Sequence, residues 1–125
     1  MNNVLKHNNR LRKTIFLDVD GTLVKHKGNL HDMLTQEPIV INGTLEKLHE
    51  WRDQGYYIVI TTARPKSNKN LLIEQLNAAG IVFDDIIIGL PSGRRVVIND
   101  KKPDMIHTAA GITLERDKGI GDLKI

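Results

Sequence analysis

Two carboxylates, Asp18 and Asp20, stand two residues apart at the end of the apolar stretch TIFLDVDGTL, and Gly21 follows at once. Adjacent anions repel, and a folding core has no use for them. Such a pair suits two kinds of chemistry. It can hold a hard divalent cation through oxygen ligands, magnesium rather than zinc. It can also divide the work of a nucleophile and a general acid–base. Either role needs partners. Thr61 and Thr62, then Arg64, close the apolar stretch YYIVITT, and Asn99 and Asp100, then Lys101 and Lys102, close RRVVIN. Singly, each has an ordinary explanation: Asp before Gly is a turn residue, and Thr at a strand end reflects β-propensity. The same chemistry at three strand ends is harder to set aside.

These ends meet only if the strands run parallel. The pattern allows it. TIFLDV reads as a buried strand. Leu45, Leu48 and Trp51 recur at helical spacing over Thr44–Gln54, and Gly55 stops that helix. YYIVITT is a second strand, and Ser67 to Ala79 a second helix that ends at Gly80. DDIIIG and RRVVIN read as two more strands, KPDMIHTAAG as a third helix and ITLER as an edge strand. Continuous apolar runs imply strands covered on both faces. The expected fold is α/β, a Rossmann-like, mainly parallel sheet flanked by helices, with ligands beyond the carboxyl ends of the strands. Lys25–Pro38 is a long connection without a clear pattern, of the kind that forms lids and binding loops.

The chain has 125 residues, enough for one domain. Residues 1–13 carry Lys6, Arg10, Arg12 and Lys13 and no acid, which is +4. The net charge is +3, so the rest sums to −1, and the basic character belongs to a tail expected to be flexible. Residues 14–125 form the expected domain. Aromatic residues make up only 4%, which argues against a stacking platform for nucleic acid. Cysteine is absent, so thiolate zinc sites and cysteine nucleophiles are excluded. No stretch reaches a membrane span, and a cytoplasmic protein is expected. No Gly-Lys-Ser/Thr loop points to a kinase.

DVDGT at Asp18–Thr22 resembles the first motif of the haloacid dehalogenase-like (HAD) phosphohydrolase superfamily. ITTARP at Ile60–Pro65 is similar to its second motif, and VVINDKKP at Val96–Pro103 to its acidic fourth. Within the superfamily the motifs most resemble small phosphatases of capsule and sugar-nucleotide synthesis, and the 3′-phosphatase domains of polynucleotide kinases. The resemblance implies an HAD-like core with little or no cap domain. It implies that Asp18 attacks phosphorus, giving an aspartyl-phosphate. Asp20 protonates the leaving alcohol and then activates water. Mg2+ lies against the Asp18 carboxylate, Asp20 through its main-chain carbonyl, and Asp100 with Asn99 beside it. Thr62 binds the phosphoryl oxygens, Gly21 and Thr22 shape the loop beside the substrate, and Arg64 holds its phosphate or leaving group. The third-motif cation is displaced: Leu90 stands where related chains often have Lys. Arg94 is favoured for that role over Arg95 and Lys101.

The resemblance therefore implies a Mg-dependent phosphomonoester hydrolase acting on a small phosphorylated metabolite such as a sugar phosphate. A phosphorylated nucleic-acid end is the lesser alternative. An open site of this kind serves macromolecules, or small substrates when a neighbouring subunit closes it, so a homo-oligomer fits. Leu90 and Asn99 motivate a different reading, a non-catalytic HAD-like binding domain.

Overall fold

The computed structural model describes residues 11–105 and 107–125. Three parallel strands lie in the order β1 (Thr14–Leu17), β2 (Tyr57–Thr62), β3 (Asp85–Ile88). Thr14 registers with Tyr57, and Val59 with Asp85. The long connection after β1 contains the short helix α1 (Leu30–Thr35), capped by the Asn29 side chain. Helix α2 (Thr44–Asp53) returns the chain to β2. A 3-10 turn at Lys66–Asn68 leads into α3 (Lys69–Ala78) and then β3.

The expected helical stripes do the packing. Leu48 and Trp51 from α2 and Leu72 and Leu76 from α3 are buried against Leu17, Ile58, Ile60 and Ile88. Strand alternation puts those four residues on one face of the sheet. Phe16, Tyr57 and Ile87 belong to the other face, and they are 53%, 36% and 41% exposed. Cover on both faces was expected; among the described residues only one face is clad by helices.

The correction is larger after β3. RRVVIN is not a strand, KPDMIHTAAG not a helix in its described residues, and ITLER not an edge strand. Only seven residues, Gly89–Arg95, separate β3 from Val96. A parallel crossover takes a dozen or more. Arg95 shortens the reach further, because its guanidinium bonds back to the carbonyls of Pro91 (2.7 Å) and Gly93 (2.6 Å). Every residue from 91 to 101 is exposed.

The chain end is tied down. Ile120 is fully buried within the core, and Gly119 and Gly121 cross Ile41–Gly43 closely. A Cβ on Gly43, whose φ is +88°, would stand 2.9 Å from the Gly121 Cα. Of the expected basic tail, residues 1–10 lie outside the described residues. Arg12 and Lys13 sit over the rings of Tyr57 and Tyr56.

Ile120→Ala is expected to cost about 2–5 kcal/mol, the range for emptying a buried aliphatic site. Urea unfolding measures it as a lower midpoint at unchanged slope. A change within about 0.5 kcal/mol, typical of a surface site, would contradict the docking of this segment.

Candidate active site

The loop after β1 is set by three amides on one carbonyl. Thr22, Leu23 and Val24 direct their N–H groups to the Val19 oxygen at 3.2, 2.9 and 3.1 Å. Gly21 turns at φ +88°, a left-handed conformation that favours glycine, and donates its N–H to the Val24 carbonyl at 2.7 Å. Val19, Leu23 and Val24 are buried and anchor the loop, while Asp18 keeps its solvent contact. A short bridge between Val24 and Val40 closes the long connection into a flap that carries α1.

Asp18 accepts a hydrogen bond from the Thr22 hydroxyl at 3.3 Å. Thr22 therefore braces Asp18. Crowding by the surrounding chain pushes the Asp18 carboxyl above its ordinary value. A backbone hydrogen bond at Val19 and the Thr22 hydroxyl pull it down; the Asp20 charge raises it, and the Arg95 charge lowers it.

Asp20 has a different setting. Arg64, only 5% exposed, grips both its oxygens: Nε to Oδ2 at 2.9 Å and Nη2 to Oδ1 at 2.7 Å. The third arm of the guanidinium, Nη1, reaches the Gln75 side-chain oxygen at 2.7 Å, and Gln75 donates to the Met33 carbonyl at 3.0 Å. One chain of bonds thus joins the β1 loop, the end of β2, α3 and the α1 flap. Such a fork binds carboxylate in two parallel bonds and fixes its plane. Three of its five N–H donors are thereby engaged, two on Asp20 and one on Gln75, so Arg64 serves the site first as the support of Asp20.

Thr62 closes β2 buried, and its hydroxyl accepts the Arg64 N–H at 3.1 Å. Thr61 donates to the Leu17 carbonyl at 3.2 Å and pins the ends of β1 and β2 together. The candidates for the third-motif cation, Arg94, Arg95 and Lys101, are all exposed, and of them the Arg95 charge bears on Asp18. Asp100 stands apart within the chain. It is exposed and paired with Lys102, whose hydrogen bond and charge hold its carboxyl below the ordinary value. Asn99 bonds the Thr108 carbonyl. The reason is the missing fourth strand, which was to carry both residues to the rim.

Among the described residues, no three His, Asp or Glu side chains converge on a point suited to a metal. The Asp20 carboxylate is taken by Arg64, which leaves the Asp18 carboxylate and nearby main-chain oxygens. Those are the groups that would hold magnesium, an ion that takes one or two carboxylates and keeps several waters. A recess of about 250 Å³ near Arg52, Ile58, Phe83 and Asp84 lies at the start of β2, the opposite end from Asp18.

Three residues at the site escaped the sequence reading. Gln75 sits on the apolar stripe of α3, and its polarity there was the available signal. Asp117 donates its N–H to the Gly21 carbonyl at 2.8 Å, and its side chain accepts the His26 N–H at 2.8 Å. Arg116 lies alongside, its Cγ 3.2 Å from where a Gly21 Cβ would be. No local pattern in the GIGD turn region announces that these two return to the first motif.

Arg64→Met would leave Asp20 as a largely buried, unpaired carboxylate. Breaking such a pair costs about 3–5 kcal/mol. Adding Asp20→Asn should recover much of that loss, as denaturant unfolding of the single and double variants would reveal. A loss below about 1 kcal/mol in Arg64→Met would contradict the clamp.

Comparisons with known proteins bear on the family and the fold. The LNS2 domain of PITM 1–3 matches residues 15–111. The histidine biosynthesis bifunctional protein HisB of Xylella fastidiosa strain 9a5c is 29% identical over 86 residues, which is 59% of this chain and 23% of HisB. The chain thus spans less than a quarter of the curated relatives it matches. A structural-genomics target from Vibrio cholerae superposes with TM-score 0.52 at 25% identity, covering 68% of this chain and 79% of that one. The D,D-heptose 1,7-bisphosphate phosphatase of B. bronchiseptica, solved with magnesium and phosphate, gives TM-score 0.50 at 19% identity over 61% of this chain and 49% of its own. That last likeness speaks for the fold alone. With a parallel α/β sheet, a DVDGT loop closing its first strand and a match over most of its length, the chain belongs to the LNS2 domain family and has the HAD-like fold.

Proposed function

We propose that this chain is a phosphomonoester hydrolase in which Asp18 is the nucleophile. The observation that carries the reading is the contrast between two carboxylates two residues apart. Asp18 is solvent-accessible and forms no ion pair among the described residues, while Asp20 is held by both oxygens. An Asp18 oxygen would bond to phosphorus as the bond from phosphorus to the leaving oxygen breaks. Water would then attack phosphorus, releasing inorganic phosphate and restoring the Asp18 carboxylate. The Arg64 fork orients Asp20 as a proton acceptor for that water. Giving a proton to the leaving alcohol in the first step calls for a loosening of the fork when substrate binds. Arg95, whose charge lowers the Asp18 carboxyl, is the cation we assign to the phosphoryl group.

A small phosphorylated substrate such as a sugar phosphate is the favoured class. The relative from B. bronchiseptica is a sugar bisphosphate phosphatase, and the site is open with no cap domain among the described residues. Magnesium dependence is part of the proposal, supported by the oxygen-rich first motif and by the magnesium and phosphate bound in that relative. The separation of Asp100 from Asp18 favours the second reading, a non-catalytic domain of the same fold.

An aryl phosphate assay with magnesium, repeated with chelator, separates them. Turnover that needs magnesium, falls to background in Asp18→Asn and drops about 10²–10⁴-fold in Asp20→Asn is the expected result. No turnover on a broad panel of phosphate esters would support the binding domain.

A further inference from the structure

We propose that Gln75 is a positioning residue that sets the Arg64 fork on Asp20 according to the place of the α1 flap. The flap has a firm base and a loose body. At its base Lys25 bonds the Ile39 carbonyl at 2.8 Å, Ile41 bonds the Leu23 carbonyl at 3.0 Å, and the His26 N–H bonds the Asp117 side chain at 2.8 Å. Beyond the base, α1 is six residues long and buries none of them. A helix that short does not hold its place by itself. The other hydrogen bonds of residues 27–38 stay within the flap. Among the described residues, one bond alone ties 27–38 to the rest of the domain: Gln75 Nε2 to the Met33 carbonyl at 3.0 Å.

That tether ends on the site. The same Gln75 amide offers its oxygen to Arg64 Nη1 at 2.7 Å, and Arg64 grips both Asp20 oxygens. The amide can point only one way. A guanidinium has donors and no acceptor, and a carbonyl has no donor, so oxygen faces Arg64 and nitrogen faces Met33. Glutamate here would keep the first bond and lose the second, and leucine would lose both. Leu72 and Leu76, both 1% exposed, pin α3 to the sheet, so Gln75 reaches out from a fixed backbone. The part free to move is α1, and the amide passes its displacement to the guanidinium.

Resting on the proposed function, this coupling supplies the loosening of the fork that the first step calls for. With the flap seated, Met33 holds the amide, the amide holds Nη1, and the fork lies flat on Asp20. A substrate that lifts α1 takes the Met33 carbonyl away. The amide then rotates about its terminal bond, a soft torsion, and the guanidinium loses its third support. Asp20 is free to turn an oxygen toward the leaving group. Reseating of the flap restores the fork for the attack of water.

The coupling is read by NMR on the substrate-free full chain, through the Arg64 Nε–H signal. Asn29→Ala removes the side chain that caps α1 and loosens the flap from an exposed position. It should shift the Arg64 signal in the unaltered chain and leave it in place when added to Gln75→Leu or Gln75→Glu. Gln75→Glu keeps the side chain's length and its bond to Arg64, which guards against a fold defect in the leucine variant. Amide exchange across 27–38 should rise in both Gln75 variants while β2 keeps its rate. An Arg64 signal that ignores Asn29→Ala in the unaltered chain, or responds equally without Gln75, would overturn the proposal, as would unchanged exchange across 27–38. In turnover, both Gln75 variants should lower kcat at nearly unchanged KM, by less than the loss of about 10²–10⁴-fold expected for Asp20. Unchanged kcat in an active chain would also overturn it. Coupling without phosphatase activity would keep the role of Gln75 in the fork and refute the hydrolase reading, and activity without coupling would do the reverse.

Discussion

The Arg64 fork on Asp20 is the constraint around which the site is organised. Two carboxylates on adjacent outward positions of one loop would repel, and neutralising one of them within the protein removes that cost. The fork does more than cancel charge. It ties the loop after β1 to the end of β2, and through Gln75 it extends to α3 and the α1 flap. Asp18 is left accessible on a loop whose backbone is already fixed by the Val19 carbonyl and by burial of Val19, Leu23 and Val24. A reactive group held on rigid support needs little reorganisation when it acts.

The C-terminal segment supplies the second brace. Asp117 bonds the Gly21 carbonyl and the His26 N–H, so the loop and the flap are latched together by a residue 96 positions beyond Gly21. Ile120 fixes that latch in the core. The loop's geometry therefore depends on both ends of the domain, and destabilising the chain end is equivalent to loosening the first motif.

Much of this was legible beforehand, for physical reasons. β1, β2 and β3 are dense in β-branched residues, and α2 and α3 carry clean helical stripes ended by Gly55 and Gly80. Local pattern and tertiary packing agree there, so the parallel core followed. After β3 they part company. RRVVIN has the composition of a strand, but the segment is exposed and outside the sheet, which composition alone does not register. Arg64 shows a similar limit at the site. Its spacing after Thr62 suggested a substrate contact, yet only the fold reveals that it forks onto Asp20 and reaches Gln75. Gln75 and Asp117 were invisible because their partners lie far away in sequence.

The most direct test is to look for the covalent species itself. The chain is incubated with magnesium and a small phosphate ester that turns over, quenched in acid, digested, and its peptides are mapped by mass spectrometry. A phosphoryl group on Asp18, absent when the ester is omitted, is the predicted result. Turnover with no phosphorylated peptide, or with the group on Asp20 or another residue, would contradict the assignment of Asp18 as the nucleophile.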